Sequence, residues 1–241
     1  MLNQHRIIWE EKPVLRAVYH QYYQRILQFV RPGQTLEVGG GTGNLKNYLQ
    51  NVISTDILKL PWLDAACNAE ALPFKDQGFD NIVLVDVLHH IEHPNRFFKE
   101  TQRVLNNGGR LILLEPAITK ISWIFYHFFH PEPVDLHDNP LIERTSNPNR
   151  QAFDANQAIP ELIFGKFKHE FNSQFPVFQI IHKSYLSLWV YPLSGGFRKW
   201  CLIPKSWVNA LLNIEQKIEC WLGKYFGFRL FVVLEKRGQH A

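Results

Sequence analysis

The first stretch of the chain that could do chemistry is a glycine-rich turn, LEVGGGTGN, at residues 36–44. Glycines widen the range of backbone conformations and let peptide N–H groups approach a ligand closely. A turn of this kind between a buried strand and a helix is typical of a site for a nucleotide-like cofactor. A single acid, Glu37, precedes the glycines. The glycines concerned are Gly39, Gly40, Gly41 and Gly43.

The spacing of these glycines discriminates between two kinds of ligand, dinucleotides and S-adenosylmethionine. A dinucleotide site requires glycines at the first, third and sixth positions of the turn. Counted from Gly39, the sixth position is Asn44, so the last of these glycines is missing. S-adenosylmethionine carries a cationic amino group and a sulfonium, which suit Glu37, whereas the same acid would repel a pyrophosphate. The turn therefore predicts a cationic nucleoside ligand with an amino-acid tail.

Predicted helices and strands alternate around this turn. Apolar residues from Leu15 to Val30 recur at helical spacing until Pro32-Gly33, and Leu45 to Leu49 fit a helix that begins at the turn. Short apolar runs mark strands that are buried on both faces. Such alternation predicts an α/β fold with a parallel, doubly wound sheet and right-handed crossovers. The strand segments are TLEV, NVIST, the run at 82–85 in FDNIVLVDVLHHI, and RLILLEP, with a helix over 94–105 that ends at NNGG.

The alternation breaks after Pro116. Residues 117–165 contain many prolines and an aromatic block, ISWIFYHFFHPEPVD, and are predicted to be an insertion without a core of its own. A strand (FQIIHKSYLSLW), a helical stripe and a final strand (FRLFVVLEK) follow, and the length suits one domain. The predicted division is a helical segment (1–33), a cofactor-binding core (34–116), a substrate and lid region (117–200), and a last helix and strand (201–241).

Five motifs between residues 34 and 116 occur in the order of a known family. LEVGGGTGN resembles its first motif, in which Cys or Ser commonly stands at the position of Gly40, and STDI resembles the second. CNAEALPFKDQGFD, LVDVLHHIEHP and NNGGRLILLEP are similar to the motifs that follow. This part of the chain thus resembles the class I S-adenosylmethionine-dependent methyltransferases of the widespread small-molecule type (type 11-like).

The resemblance implies a fold and a set of cofactor contacts. The fold is a Rossmann-like seven-stranded sheet of order 3-2-1-4-5-7-6, with the last strand antiparallel and a lid inserted after strand 5. In the family, an acid that ends strand 2 binds the ribose, and the first residue of the third motif accepts from adenine; here that residue is Asn68, whose carbonyl can still accept. The implied residues are Glu37, Gly39, Gly40, Gly41 and Gly43 for the methionine end, Asp56 and Ile57 for the ribose, Asn68 and Ala69 for the adenine, and Asp86, Val87 and Leu88 beside the cofactor.

The activity implied is the transfer of a methyl group from S-adenosylmethionine to a small-molecule acceptor, lipid-like or glycan-linked. Because the sulfonium donor is already activated, the protein has mainly to position the reactants and exclude water, and no catalytic triad is required. Two alternatives stay open. The departure at Asn68 favours a non-catalytic, methyltransferase-like binding or scaffold protein, and a nicotinamide-dependent oxidoreductase is disfavoured by Asn44 and Glu37.

Three polar residues carry competing interpretations. His89 and His90 could act as general bases, because an unperturbed imidazole titrates near neutrality, but a structural role explains them equally. Glu115 ends a predicted strand on the side where an acceptor would lie. No catalytic residue is assigned on this basis.

Neither a metal site nor a disulfide is predicted. The three cysteines are far apart and form no CxxC pair. Four further residues could be written as a metal cluster, but their spacing fixes no further ligand and their aromatic neighbours indicate packing. These residues are His127, His130, His137 and Asp135.

The overall charge and hydropathy limit the partners and the location. A formal net charge of +4 and a pI near 8.9, without a run of Lys and Arg, do not suggest a nucleic-acid partner. The start, MLNQHRIIWEEKP, has no stretch typical of a signal peptide, and no window of about 18 apolar residues would cross a membrane. A cytoplasmic protein is expected. The block WIFYHFF and the seven tryptophans suggest peripheral membrane contact as well.

Overall fold

A seven-stranded sheet forms the centre of the protein, whose computed structural model describes residues 1–238. The last residues of the predicted segment 201–241 therefore lie outside the described part. The strands are β1 (Thr35–Val38), β2 (Val52–Asp56), β3 (Ala65–Ala66), β4 (Phe79–Val85), β5 (Leu105–Pro116), β6 (Phe178–Leu186) and β7 (Arg229–Lys236). The helices are α1 (Leu2–Glu11), α2 (Pro13–Leu27), α3 (Pro94–Val104), α4 (Lys120–Phe129), α5 (Ile159–Glu161), α6 (Lys168–Gln174), α7 (Val190–Ser194) and α8 (Val208–Phe226).

The strand order is β3-β2-β1-β4-β5-β7-β6, as predicted. Strands β1 to β5 pair in parallel, whereas β7 runs antiparallel to both of its neighbours, β5 and β6. All residues of β1 are buried, because helices and loops cover both faces of a parallel sheet. The predicted Rossmann-like fold with an antiparallel last strand is thus confirmed.

Two apolar cores lie on the two faces of the sheet. One contains Phe97 and Phe98 of α3 together with Phe171 of α6. The other contains Leu15 of α2 and Leu212 of α8. Each core holds the carboxyl ends of the central strands in fixed positions, and these ends carry the site described below.

The prediction of a helix directly after the glycine turn is wrong. Only a short 3₁₀ turn, Leu45–Asn47, follows it, because too few residues separate Gly43 from β2 for a packed helix and its connection. The space is filled from the N-terminal side, where Tyr23 of α2 packs against Tyr48 with ring centroids 4.5 Å apart.

Other boundaries also differ from the predictions. The helical stripe predicted from Leu15 to Val30 is helical only to Leu27. Helix α1 lies within the segment 1–33 that was expected to be helical, but the break between α1 and α2 at Lys12 was not predicted. The NNGG turn lies within β5, where its pairing with β4 shifts register and Gly108 has a φ of 74°.

The segment after Pro116 packs onto the main core and has no core of its own. Helix α4 begins it, an irregular stretch follows from 130 to 158, and Ile159, Ile163 and Phe164 then enter the core beside α3. The division at residues 116 and 200 stays a prediction. Among the residues that the structure describes, no helix has both the length and the apolar character needed to cross a bilayer.

Candidate active site

A cavity of about 1050 Å³ opens where β1, β2 and β4 end. This is the edge of an open α/β sheet at which ligands bind. The predicted cofactor residues that line it are Glu37, Gly39, Gly40, Gly41, Asp56, Ile57, Asn68, Ala69, Asp86 and Val87. Gly43 and Leu88 were also predicted, but they are not among the residues that line it.

The glycines of the turn are required mostly by the protein's own packing. Gly39, Gly41 and Gly43 have φ values of 70°, 50° and 77°, which side chains other than glycine rarely adopt. A Cβ on Gly39 would collide with the side chain of Val87, and one on Gly43 would lie 3.0 Å from Trp62. At Gly41 the Cβ position is open, with the nearest atom 3.8 Å away, so this glycine leaves free space for a ligand against the backbone.

Glu37 is buried at the start of the turn, where its carboxylate accepts a hydrogen bond from the Ser54 hydroxyl. Burial raises the pKa of Glu37 to about 7, although the Ser54 hydrogen bond opposes the shift. Gly40 lies against the same pair, and a Cβ there would overlap the Ser54 hydroxyl. Gly40 therefore leaves room for the Glu37–Ser54 hydrogen bond in this chain.

Asp56 ties the end of β2 to the glycine turn. One of its oxygens accepts from the backbone N–H of Gly41 at 3.1 Å, and the other accepts from Leu58 at 3.0 Å. Trp62 donates its indole N–H to the carbonyl of Gly41 at 2.8 Å, which holds the turn from its other side. Each oxygen of Asp56 retains a lone pair for a ligand.

Asn68 forms a local turn and also lines the cavity. Its side-chain oxygen accepts from the backbone N–H of Glu70 at 2.9 Å, the pattern of an Asx turn. The side-chain amide N–H groups are not used in that bond, so Asn68 can both donate and accept toward a ligand. Ala69 follows it and packs partly against the core.

Asp86 lies at the centre of a buried polar cluster that the sequence analysis missed. It has a φ of 58° and forms an ion pair with Arg229, while the Tyr19 hydroxyl donates to its other oxygen at 3.2 Å. Burial raises the pKa of Asp86, and the Arg229 charge opposes the shift. Arg229 in turn lies over the ring of Tyr191 at 4.2 Å. An arginine directly before the apolar run at 230–234 was the available sequence signal.

His89 lies between two carboxylates. Its Nδ1 is 2.7 Å from Glu115, which also accepts from the backbone of Val87 and Leu88, and its Nε2 is 3.6 Å from Glu132. Burial opposes the imidazolium, but the two carboxylates prevail and raise the pKa of His89 to about 9. The paired imidazolium is therefore a hydrogen-bond donor at neutral pH and cannot serve as a general base there.

The remaining candidates for proton transfer or metal binding are arranged differently from expectation. Burial, together with the neighbouring charge of His89, lowers the pKa of His90 to about 4, so His90 is neutral at pH 7. His90 lies with His89 and Glu132, their ligand atoms within 4.8 Å of one another, but the His89–Glu132 ion pair needs no metal. His127 instead stacks on Trp123, at 5.1 Å. That no metal binds stays a prediction.

Several aromatic side chains line the wall made by the chain after β5, beside polar residues of the stretch 146–151. Phe125 and Phe129 of α4, Phe153 of the irregular stretch, and Trp200 line this side. Met1 and the first residues of α1, Leu2 and His5, also line the cavity, and the His5 ring stacks on Phe197 with centroids 4.6 Å apart. The cavity thus has a polar half made by strand ends and an apolar half made by the chain before β1 and after β5.

Comparisons with known proteins are consistent with this geometry. Residues 36–113 match the family model described as "Methyltransferase domain". An uncharacterized protein of Methanocaldococcus jannaschii is 31% identical over 104 residues, which are 40% of this chain and 51% of that protein. A "Ubiquinone/menaquinone biosynthesis C-methyltransferase" of Bordetella avium is 36% identical over 110 residues, 36% of this chain and 42% of that protein. The chain thus spans about half or less of the length of these curated relatives.

Solved structures share the fold over nearly the whole chain. A SAM-dependent methyltransferase from Archaeoglobus fulgidus has a TM-score of 0.55 at 12% identity and covers 92% of this chain and 94% of its own. A SAM-dependent methyltransferase from Thermotoga maritima, described as a possible histamine N-methyltransferase, also has a TM-score of 0.55, at 16% identity, with 98% and 100% covered. Residues 36–113 thus match the methyltransferase domain that the motifs predicted, the solved structures share the fold, and S-adenosylmethionine is the expected cofactor.

Proposed function

We propose that the protein transfers a methyl group from S-adenosylmethionine to a small, lipid-like acceptor. The observation that carries this proposal is that one cavity joins the glycine turn and the acids at the strand ends to an apolar, aromatic wall. Its volume of about 1050 Å³ is at the upper end of the range for a pocket that holds one ligand, roughly 300–1,000 Å³, and suits a donor and an acceptor side by side.

The polar half of the cavity suits S-adenosylmethionine. Glu37 would face the cationic amino-acid end together with the backbone of the turn, and the open Cβ position at Gly41 leaves space for a ligand there. The free lone pairs of Asp56 suit two ribose hydroxyls. Asn68 would contact the adenine, and Asp86 and Val87 would lie beside the cofactor.

The apolar half suits the acceptor. Aromatic side chains of α4 and of the chain around Trp200 dominate it, and burying apolar area there would contribute roughly 25 cal/mol per Å² to binding. The name of the Bordetella relative, a C-methyltransferase of ubiquinone and menaquinone biosynthesis, favours carbon as the acceptor atom and a ring-bearing, lipid-like compound as the acceptor. A glycan-linked acceptor stays the alternative, because polar residues such as Asn147, Arg150 and Gln151 also line the cavity.

Positioning and exclusion of water would supply most of the catalysis. When bound, the cofactor supplies a methyl carbon on a positively charged sulfur, whose leaving group is a neutral thioether. The protein's residues then have to hold the acceptor in line with that carbon in a dry cavity, which α1 and α4 help to close. Both N–H groups of the His89 imidazolium point at carboxylates, so its role here is to hold Glu115 and Glu132 in place.

Calorimetry on a matched pair of aspartate variants tests the cofactor site. Asp56→Ala is expected to weaken binding of S-adenosylmethionine and of its demethylated product by at least tenfold, because two ribose hydroxyls lose a charged acceptor at roughly 1.5–3 kcal/mol each. Asp76→Ala, on a side chain 73% exposed and outside the cavity, is the control and should bind as wild type does. Unchanged affinity in Asp56→Ala would contradict the site.

A second measurement separates an enzyme from a binding protein. Wild type is incubated with methyl-labelled S-adenosylmethionine and a lipid extract, and transfer of label to the organic phase is expected. Cofactor binding without transfer to a lipid or water-soluble extract would favour the non-catalytic alternative. Binding of a nicotinamide dinucleotide in preference to S-adenosylmethionine would favour the oxidoreductase.

A further inference from the structure

Helix α4 presents its apolar side chains outward. Its buried positions are Ser122 and Tyr126, one turn apart, whereas most of its large apolar residues are exposed. Phe128 is 67% exposed, and Ile124 and Phe129 are exposed as well. A helix on the surface of a soluble domain normally places its apolar stripe inward. The reversed arrangement indicates that something apolar meets this helix from outside.

Helix α8 packs beside α4 and continues the same exposed surface. Trp221 is 74% exposed, and Ile214, Tyr225 and Phe226 are also exposed. The two helices meet where Lys120 of α4 lies 6.0 Å from the ring of Tyr225. We refer to the exposed side chains of Ile124, Phe128, Ile214, Trp221, Tyr225 and Phe226 as the α4–α8 face. Contiguous exposed apolar patches of this kind mark interaction sites on soluble proteins.

The outward-facing charges of α4 and α8 are all of one sign. Lys120, Lys217 and Lys224 are exposed there, and the Lys224 amine lies 4.9 Å from the ring of Tyr225. The acids of α8 point inward instead. Glu215 is buried and accepts from the backbone of α7, and Glu219 pairs with Arg25 of α2. Within the described residues of α4 and α8, no acid therefore faces outward to oppose an anionic surface.

The α4–α8 face is also continuous with the cavity. Phe129 ends α4, is exposed at the surface, and lines the cavity. Arg198 donates to the carbonyl of Phe129 at 3.4 Å, which joins the end of α4 to the segment that carries Trp200 on the aromatic wall. A molecule that leaves an apolar phase at this face would therefore meet the apolar half of the cavity first.

We infer that the α4–α8 face docks onto the surface of an anionic lipid membrane. Aromatic side chains flanked by lysines are the composition that inserts at the headgroup level, with the rings in the interface and the ammonium groups near lipid phosphates. The lysines match a negative surface, whereas a second copy of the same basic face would be repelled. The idea that the membrane delivers the acceptor rests on the proposed function. The docking of the face onto a membrane does not rest on it.

Cosedimentation with vesicles tests the docking face. Wild type is expected to bind vesicles that contain phosphatidylglycerol and to bind pure phosphatidylcholine vesicles much more weakly. Neutralising the face with Lys120→Gln, Lys217→Gln and Lys224→Gln should weaken the binding by roughly a hundredfold, since each lysine near an anionic surface is worth about fivefold. Phe128→Ser combined with Trp221→Ser should abolish it.

The matched control is Ile142→Ser. Ile142 is 53% exposed and follows Leu141, which packs in the core on the opposite face of the sheet, so this variant should bind vesicles as wild type does. Thermal melts establish that each variant is folded, and calorimetry with S-adenosylmethionine reports separately on the cofactor site. Equal vesicle binding by wild type and the lysine variant overturns the inference. The inference is also overturned if the protein forms a dimer without lipid and Phe128→Ser with Trp221→Ser makes it monomeric. Neither outcome depends on the result with the cofactor.

Discussion

Replacing Glu37 by glutamine tests whether this acid is held in the fold at a cost in stability. Its side chain is 5% exposed, and burial raises its pKa from an ordinary 4.5 to about 7. Since one pKa unit corresponds to about 1.4 kcal/mol, the folded protein opposes ionisation of Glu37 by roughly 3 kcal/mol. Glutamine has the same shape, can accept from the Ser54 hydroxyl, and carries no charge to bury.

The sign of the pH dependence follows from this shift. Because the folded pKa lies above the unfolded one, the folded state binds more protons between pH 4.5 and 7, and wild type loses stability as pH rises through that window. Between pH 5 and pH 8 the loss from this one group is roughly 2.5 kcal/mol. The Glu37→Gln variant cannot ionise and escapes the loss, so its stability relative to wild type should rise by that amount.

Urea unfolding of wild type and Glu37→Gln at pH 5 and pH 8, without cofactor, measures this difference. Other titrating groups are common to both proteins and cancel in the comparison. Glu143→Gln, on a side chain 57% exposed, is the control and should show the same free-energy difference from wild type at both pH values. If the free energy of unfolding of Glu37→Gln differed from that of wild type by the same amount at pH 5 and at pH 8, the reasoning would be refuted. Cofactor affinity at pH 8 should fall in Glu37→Gln if the ionised acid faces the cationic end of the ligand.

Two further predictions concern the packing of the site. Gly40→Ala should lower the free energy of unfolding by about 1–3 kcal/mol, because the added methyl group overlaps the Ser54 hydroxyl. Adding Ser54→Ala to the same chain should recover part of this loss. If urea unfolding showed that the two single-variant effects simply add in the double variant, the contact would be contradicted. His89→Gln should cost about 3–5 kcal/mol at pH 6, because Glu115 is left as an unpaired buried charge. The pKa of His89 is raised to about 9, so its pairing stabilises the fold fully below pH 6.5 and is lost as pH rises through 9. Unfolding measurements that show an unchanged cost at pH 10 would contradict that assignment.

Much of the fold could be predicted because its signals are local. TLEV and the apolar run of β4 are buried on both faces, and a short run of apolar residues suffices to mark such a strand. Helix α1 gives a weak signal, since only Ile8 and Trp9 are buried in it. The stretch from 130 to 158 takes its shape from hydrogen bonds between distant residues, such as Asn156 donating to Asp135, and no periodicity encodes these.

The residues of the site likewise fall into those that local sequence signals could predict and those that they could not. Motif residues such as Asp56 could be found because the end of a strand and the turn after it are adjacent in sequence. The cluster around Asp86 could not, since its partners Tyr19 and Arg229 lie 67 and 143 residues away along the chain. Glu132 reaches His89 from the irregular stretch after α4 and had no motif of its own. Tertiary contacts between distant parts of the chain bring these groups to the cavity, and no local sequence pattern records such contacts.

The absence of the predicted helix after the glycine turn bears on which ligand the turn can hold. In a dinucleotide site, the pyrophosphate lies at the N-terminus of the helix after the glycine turn, where the helix dipole and free N–H groups favour negative charge. Here a 3₁₀ turn of only three residues, Leu45–Asn47, follows the glycines. It carries too few aligned peptides to supply that field, while Glu37 adds a carboxyl that ionises near neutral pH. The missing helix and the acid before the turn are two independent reasons why a pyrophosphate is disfavoured. A ligand with a cationic amine and a sulfonium does not need a helix dipole, and the acid attracts it.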